Sequence, residues 1–138
     1  MVRTEIIQKR ISKANEYINY LEKIRKENTR EEFKREPMVF GSSERFLHLV
    51  IESLLDIGNQ IISDQNLGEV EVYKDIPEML YQNDYISKEQ KEVFTKITGF
   101  RNILVHDYLE VDLDIVYDIL NKNLEDLKSI LKAYADFL

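Results

Sequence analysis

Apolar residues recur at steps of three and four through Ile7, Ile11, Ala14, Ile18, Leu21 and Ile24, with Lys and Glu filling many positions between. That spacing is the buried stripe of an amphipathic helix, predicted here from about Arg3 to Asn28. The stretch Arg30 to Glu36 carries charges of both signs and reads as a solvated connector ending at Pro37. Gly41-Ser42-Ser43 breaks the chain and offers an N-cap. From Ser43 a second helix is expected to run to about Asp64, on Phe46, Val50, Leu54, Ile57 and Ile61. Leu47, Ile51 and Leu55 widen its stripe, so this helix should be central and buried on more than one side.

Leu67 to Lys74, with Gly68 and alternating acids, reads as a loop. A short helix then starts at Asp75-Ile76-Pro77, with Asp75 as cap and Pro77 in the first turn, and ends near Asn83-Asp84. Ser87-Lys88-Glu89-Gln90 fits a capping box. The helix after it uses Val93, Ile97, Phe100, Leu104 and Tyr108. Gly99 inside that helix costs about 1 kcal/mol relative to alanine and points to a close backbone neighbour, or to no constraint at all. Asp112 or Asp114 caps a last helix buried through Ile115, Ile119, Leu127, Ile130, Leu131 and Tyr134. The expectation is an all-α, up-and-down bundle of four long helices and one short one, a single domain over residues 1–138.

Composition narrows the chemistry. Four glycines and two prolines in 138 residues suit a mostly helical chain, and 43% hydrophobic residues suffice for a core. With no cysteine there is neither a disulfide framework nor a thiolate metal site, which fits a reducing cytoplasm. No apolar run reaches the ~18 residues of a membrane span, and the N-terminus lacks a signal peptide's apolar region. A net charge of −7 makes the chain a poor general binder of nucleic acid. RNA would need a local basic cleft, or a partner that supplies charge.

Against that background Arg101-Asn102-Ile103-Leu104-Val105-His106-Asp107-Tyr108 stands out. Arginine is a permanent cation that grips phosphate through two donors, and histidine exchanges protons near neutrality. The chain has only two histidines and no tryptophan. On a helix Arg101 and Tyr108 lie about 20° apart, whereas Arg101 and His106 are about 140° apart. A site that uses both needs a bend near His106, or a second copy of the chain facing the first. Such a set suits metal-independent RNA cleavage. Histidine acts as general base or acid, arginine stabilises charge on phosphorus, and Asn102 holds the histidine or a phosphate oxygen. No cluster of ligands calls for a metal, and no cofactor is implied. The alternative is structural: a salt-bridged surface arginine, and a histidine at a helix end favoured by the dipole.

The same eight residues resemble the Arg-x4-His-x-Tyr signature of the HEPN superfamily in its HepT-like branch. Ser43-Glu44-Arg45-Phe46-Leu47 through Ile51-Glu52-Ser53-Leu54-Leu55-Asp56 looks like that branch's second helix. Tyr73-Lys74-Asp75-Ile76-Pro77 with Leu80 looks like its short-helix segment. The resemblance implies a homodimeric helical bundle whose Arg101 and His106, from both protomers, line a shared cleft. It also implies an RNA-cleaving toxin paired with a nucleotidyltransferase antitoxin of the MNT type, and a Tyr108 that this partner adenylylates. AMP there would set bulk and negative charge beside Arg101 and repel RNA. The competing readings are a non-catalytic substrate-binding or regulatory subunit of a nucleotidyltransferase, and a purely structural oligomeric bundle. Elsewhere, His48 reads as structural or exposed; tyrosines 17, 20, 73, 81, 85, 117 and 134 are scattered, and those at helical spacing read as core or interface rather than a base-stacking platform. Glu52 and Asp56, one turn apart, read as a solvated or salt-bridged face in preference to a polar site.

Overall fold

The computed structural model describes residues 2–105 and 111–138. Among them every regular element is helical: α1 (Val2–Glu27), α2 (Arg30–Arg35), α3 (Pro37–Asp64), α4 (Asp75–Gln82), α5 (Lys88–Val105), α6 (Leu113–Lys122) and α7 (Leu124–Phe137). The bundle is the expected all-α one, with α1, α3, α5 and the α6–α7 pair as its long members. α3 touches every other helix. It lies antiparallel to α1: Arg10 bonds Gln60 near one end, and Tyr17 stacks on Phe46 near the other. Leu47, Val50, Ile51, Leu54 and Ile57 of α3 are fully buried, as the widened stripe required.

Among the described residues seven helices replace the five expected, and each difference has a local cause. Residues 30–36 are not a connector. The Thr29 hydroxyl accepts from the Glu32 N–H (3.2 Å) and the Glu32 carboxylate accepts from the Thr29 N–H (3.0 Å). This capping box starts a short helix. Phe33 pins it to the core with 0% exposure. Arg30 reaches Asp114 (3.1 Å) and Asp118 (2.8 Å), and Lys34 reaches Asp114 (2.9 Å). The mixed charge is therefore half of a match to α6.

Gly41-Ser42-Ser43 does not break the chain, and Ser43 is not an N-cap. α3 starts six residues earlier, with Pro37 in its first position. The Ser42 and Ser43 hydroxyls donate to the carbonyls of Met38 (2.5 Å) and Val39 (2.8 Å), one turn back. Their polarity is satisfied inside the helix.

The last helix is two. Asn123 separates α6, capped by Asp112, from α7. Each half keeps its own phase, so Ile115 points outward at 44% exposure while Val116 and Leu120 go in. Asp75 is the first residue of α4 and not its cap. Its carboxylate accepts from the N–H groups of Glu71 and Val72 (3.0 Å each), tying the preceding loop to the helix. The Ser87–Gln90 capping box forms as expected (2.8 and 3.1 Å).

Gly99 has no close backbone neighbour; a Cβ there would meet only the Lys74 side chain, at 3.7 Å. The crowded glycine is Gly58 on α3. A Cβ there would lie 2.7 Å from Ile76 Cγ2 and 2.8 Å from the Tyr134 hydroxyl. The missing side chain lets α4 and α7 close on α3. The fully buried Tyr134 hydroxyl donates to the Leu54 carbonyl at 3.0 Å.

Candidate active site

Phe100 and Leu104 face the core from the last turns of α5, 7% and 8% exposed. Arg101, one residue on from Phe100, is thereby set at the rim and turned back toward α3. Its Nε donates to Glu52 Oε1. Its guanidinium carbon sits 4.4 Å from the centre of the Tyr73 ring, a cation–π contact from the loop before α4. Its Nη1 lies 3.4 Å from Asn102 Oδ1. The Arg101 side chain is 16% exposed and that of Glu52 29%, so this pair is largely withdrawn from water. Glu52, by its hydrogen bond, raises the Arg101 pKa still further, against a smaller opposing effect of burial. The cation is permanent.

Glu52 belongs to a polar strip on α3. One turn before it, His48 Nε2 lies 3.6 Å from Glu52 Oε1. Arg45 Nη1 lies 3.4 Å from His48 Nδ1. One turn after it stands Asp56, whose pKa is raised, first by burial and then by the negative Glu52; Arg10 and Arg101 oppose the shift. Beyond Asp56 a polar cleft of about 450 Å³ continues between Arg10, Asn59 and Gln60. Charges of opposite sign thus alternate across α1, α3 and α5, with the Arg101 guanidinium in the middle.

Of the residues singled out from sequence, Arg101 and Asn102 are adjacent at this rim. His106 and Tyr108 lie outside the described residues. The Glu52 face is salt-bridged, as read, and its partner is the motif arginine. His48 is neither core nor freely exposed but half-buried in the strip, at 17%. Tyr73, in the segment read as a loop, is 48% exposed and packs on Arg101. The missed signal was the spacing of Arg45, His48, Glu52 and Asp56: steps of three and four that draw one polar line along the most apolar helix. Among the described residues no three His, Cys, Asp or Glu side chains gather as metal ligands. No helix there is long and apolar enough to cross a membrane.

Comparison with known proteins meets this geometry. Residues 14–134 match the family model described as Ribonuclease HepT-like. A relative named mRNA nuclease HepT, from Shewanella oneidensis, is 32% identical over 111 residues, covering 71% of this chain and 84% of its own. A solved tri-AMPylated HEPN toxin of Shewanella oneidensis, in complex with MNT antitoxin, superposes with a TM-score of 0.86 at 29% identity. The match spans 95% of this chain and 97% of that one. YutE, a cytosolic protein of Bacillus subtilis, shares the fold at 22% identity with a TM-score of 0.79, over 95% of this chain and 90% of that one.

Proposed function

We propose that this chain, which belongs to the ribonuclease HepT-like family of the HEPN superfamily, is a metal-independent RNA endonuclease. It would act as the toxin of a cytoplasmic toxin–antitoxin pair and as a single domain over residues 1–138. The observation that carries the reading is Arg101: a permanent cation, held in place at the rim of α5, five residues before the histidine of the same motif. In a homodimer, two copies of this rim face each other across one cleft. Arg101 of one protomer and His106 then bracket the same phosphodiester.

In the reaction the ribose 2′-oxygen attacks the adjacent phosphorus as His106 takes its proton. Arg101 stabilises the negative charge on the non-bridging oxygens. The P–O5′ bond breaks as the 5′-oxygen takes a proton from the His106 imidazolium or from water, and a 2′,3′-cyclic phosphate remains. Asn102 holds the imidazole or a phosphate oxygen. Tyr108 is the site at which an MNT-type nucleotidyltransferase antitoxin adds AMP, placing negative charge beside Arg101 and shutting the cleft to RNA. The acidity of the chain, −7 overall, favours a second reading: a non-catalytic subunit that binds nucleotide phosphate through Arg101 for a nucleotidyltransferase.

Incubating purified protein with RNA in EDTA and examining the product ends separates the two. The nuclease leaves cyclic 2′,3′-phosphate termini. His106→Ala and Arg101→Ala abolish them while sedimentation still reports a dimer. Wild-type protein that cuts nothing, or variants that cut as well as wild type, reject the nuclease.

A further inference from the structure

We infer that Glu52 is a positioning residue for RNA cleavage, orienting Arg101 before substrate arrives; this rests on the nuclease reading above. An arginine side chain is long and has many rotamers, and a free one at a helix rim would sample most of them. Arg101 is instead bracketed from three directions. Glu52 of α3 engages the stem side of the guanidinium at Nε. Tyr73 covers one of its faces at 4.4 Å. Asn102 of α5 approaches Nη1 at 3.4 Å. A carboxylate at Nε fixes the plane of the fork, and the terminal nitrogens are those that meet phosphate oxygens in a bidentate grip.

Glu52 can serve as such a reference point because its backbone is anchored by buried neighbours. Ile51, Leu54 and Leu55, its neighbours on α3, are 0%, 0% and 1% exposed, locked among the other helices. The carboxylate is therefore tied to the bundle core, and through it so is the guanidinium. An exposed ion pair would contribute little and fix nothing. This one is partly withdrawn from water, at 16% and 29% side-chain exposure, and Tyr73 covers the guanidinium face beside it. The energetic logic is that of a preorganised site. The charge is aimed at where negative charge develops, so it need not reorganise in the transition state.

The test compares Glu52→Ala and Glu52→Gln with wild type on a single-stranded oligoribonucleotide in EDTA, alongside the NMR signal of the Arg101 Nε–H. Glu52→Ala is expected to lose about 10- to 100-fold in kcat with KM within about threefold. Its Arg101 Nε–H signal should exchange with water faster than in wild type. Glu52→Gln keeps an oxygen acceptor at the same place and is expected to recover most of kcat, which a purely structural charge pair would not predict. Thermal melting confirms that both variants are folded; if Glu52→Ala is not, Glu52→Ser, whose short side chain cannot reach the Arg101 Nε, takes its place with the same expected loss in kcat. Unchanged or faster cleavage by Glu52→Ala overturns the positioning role alone. Wild type that cleaves no RNA overturns the nuclease reading, and the positioning role with it, even where the Nε–H signal behaves as expected.

Discussion

α3 meets Tyr134 on one side and Arg101 on another, and the two contacts obey different rules. At Tyr134 everything is shape. Gly58 supplies the absence of a side chain, Ile76 and Leu80 fill the space, and one buried hydroxyl finds the Leu54 carbonyl. At Arg101 everything is charge. A carboxylate, an aromatic face and an amide surround a guanidinium that remains partly open to solvent. The first contact sets stability and tolerates no added volume. The second is expected to set activity and to tolerate loss of packing. A single helix can serve both because its two sides point to different neighbours.

The largest effect is expected at the charged contact. Arg101→Ala removes the cation and should lower RNA cleavage about 10³-fold, with a smaller fall in the melting temperature because Glu52 and Asp56 lose their shared cation. Arg101→Lys keeps the charge but loses both the planar fork and the Nε contact, and should recover only a small part of that loss. A lysine variant with near wild-type turnover would mean that charge alone matters, and that the bracketing of Arg101 has no catalytic purpose.

The apolar contact should behave in the opposite way. Gly58→Ala forces a Cβ to within 2.7 Å of Ile76 and 2.8 Å of the Tyr134 hydroxyl. Overpacking of this kind costs about 1–3 kcal/mol, measurable by urea denaturation, while the turnover of the folded fraction stays at the wild-type value. Tyr134→Phe removes the hydrogen bond to Leu54 at about 1 kcal/mol. The same hydroxyl is one of the atoms that the new Cβ would strike. The double variant should therefore be less destabilised than the two singles added together. Strict additivity would show that Ile76 and Leu80 carry the whole clash. A fall in turnover in Gly58→Ala would show that the two sides of α3 are not independent after all.

Most of this comparison could be read in part from the sequence. The period of the apolar residues located α1, α3 and α5 and identified α3 as central, because Leu47, Ile51 and Leu55 double its stripe. It could not locate α2, where one buried phenylalanine and a capping threonine outweigh five charged residues. Nor could it mark the start of α3, since serines that bond their own helix look the same in sequence as serines that cap one. Arg101 and Asn102 were legible from their motif. Glu52 was legible only as part of a polar face and Tyr73 not at all, because their partner lies 49 residues along the chain from Glu52 and beyond α4 from Tyr73. A pattern of period can reveal which face a residue takes. It does not reveal which residue of another helix waits there.

Asp56 offers the smallest effect and the finest test of the division. It lies on the charged side of α3, where burial and the neighbouring Glu52 raise its pKa above the ordinary carboxylate value. A carboxyl whose pKa is higher folded than unfolded binds its proton more tightly in the folded state. Its contribution to stability is full below the ordinary aspartate range and declines as pH rises through the raised value. At neutral pH the ionised Asp56 is thus a mild liability, opposed in part by Arg10 and Arg101. Asp56→Asn removes the titration and, because water screens this exposed carboxyl, should melt only slightly above wild type at pH 7, by less than about 1 °C, with the gap closing as pH falls through and below the carboxylate range. Melting curves across pH 3–8 measure this directly. A variant less stable than wild type at pH 7 would mean that Arg10 and Arg101 outweigh burial at this position, and that the charged side of α3 stabilises the bundle as well as arming it.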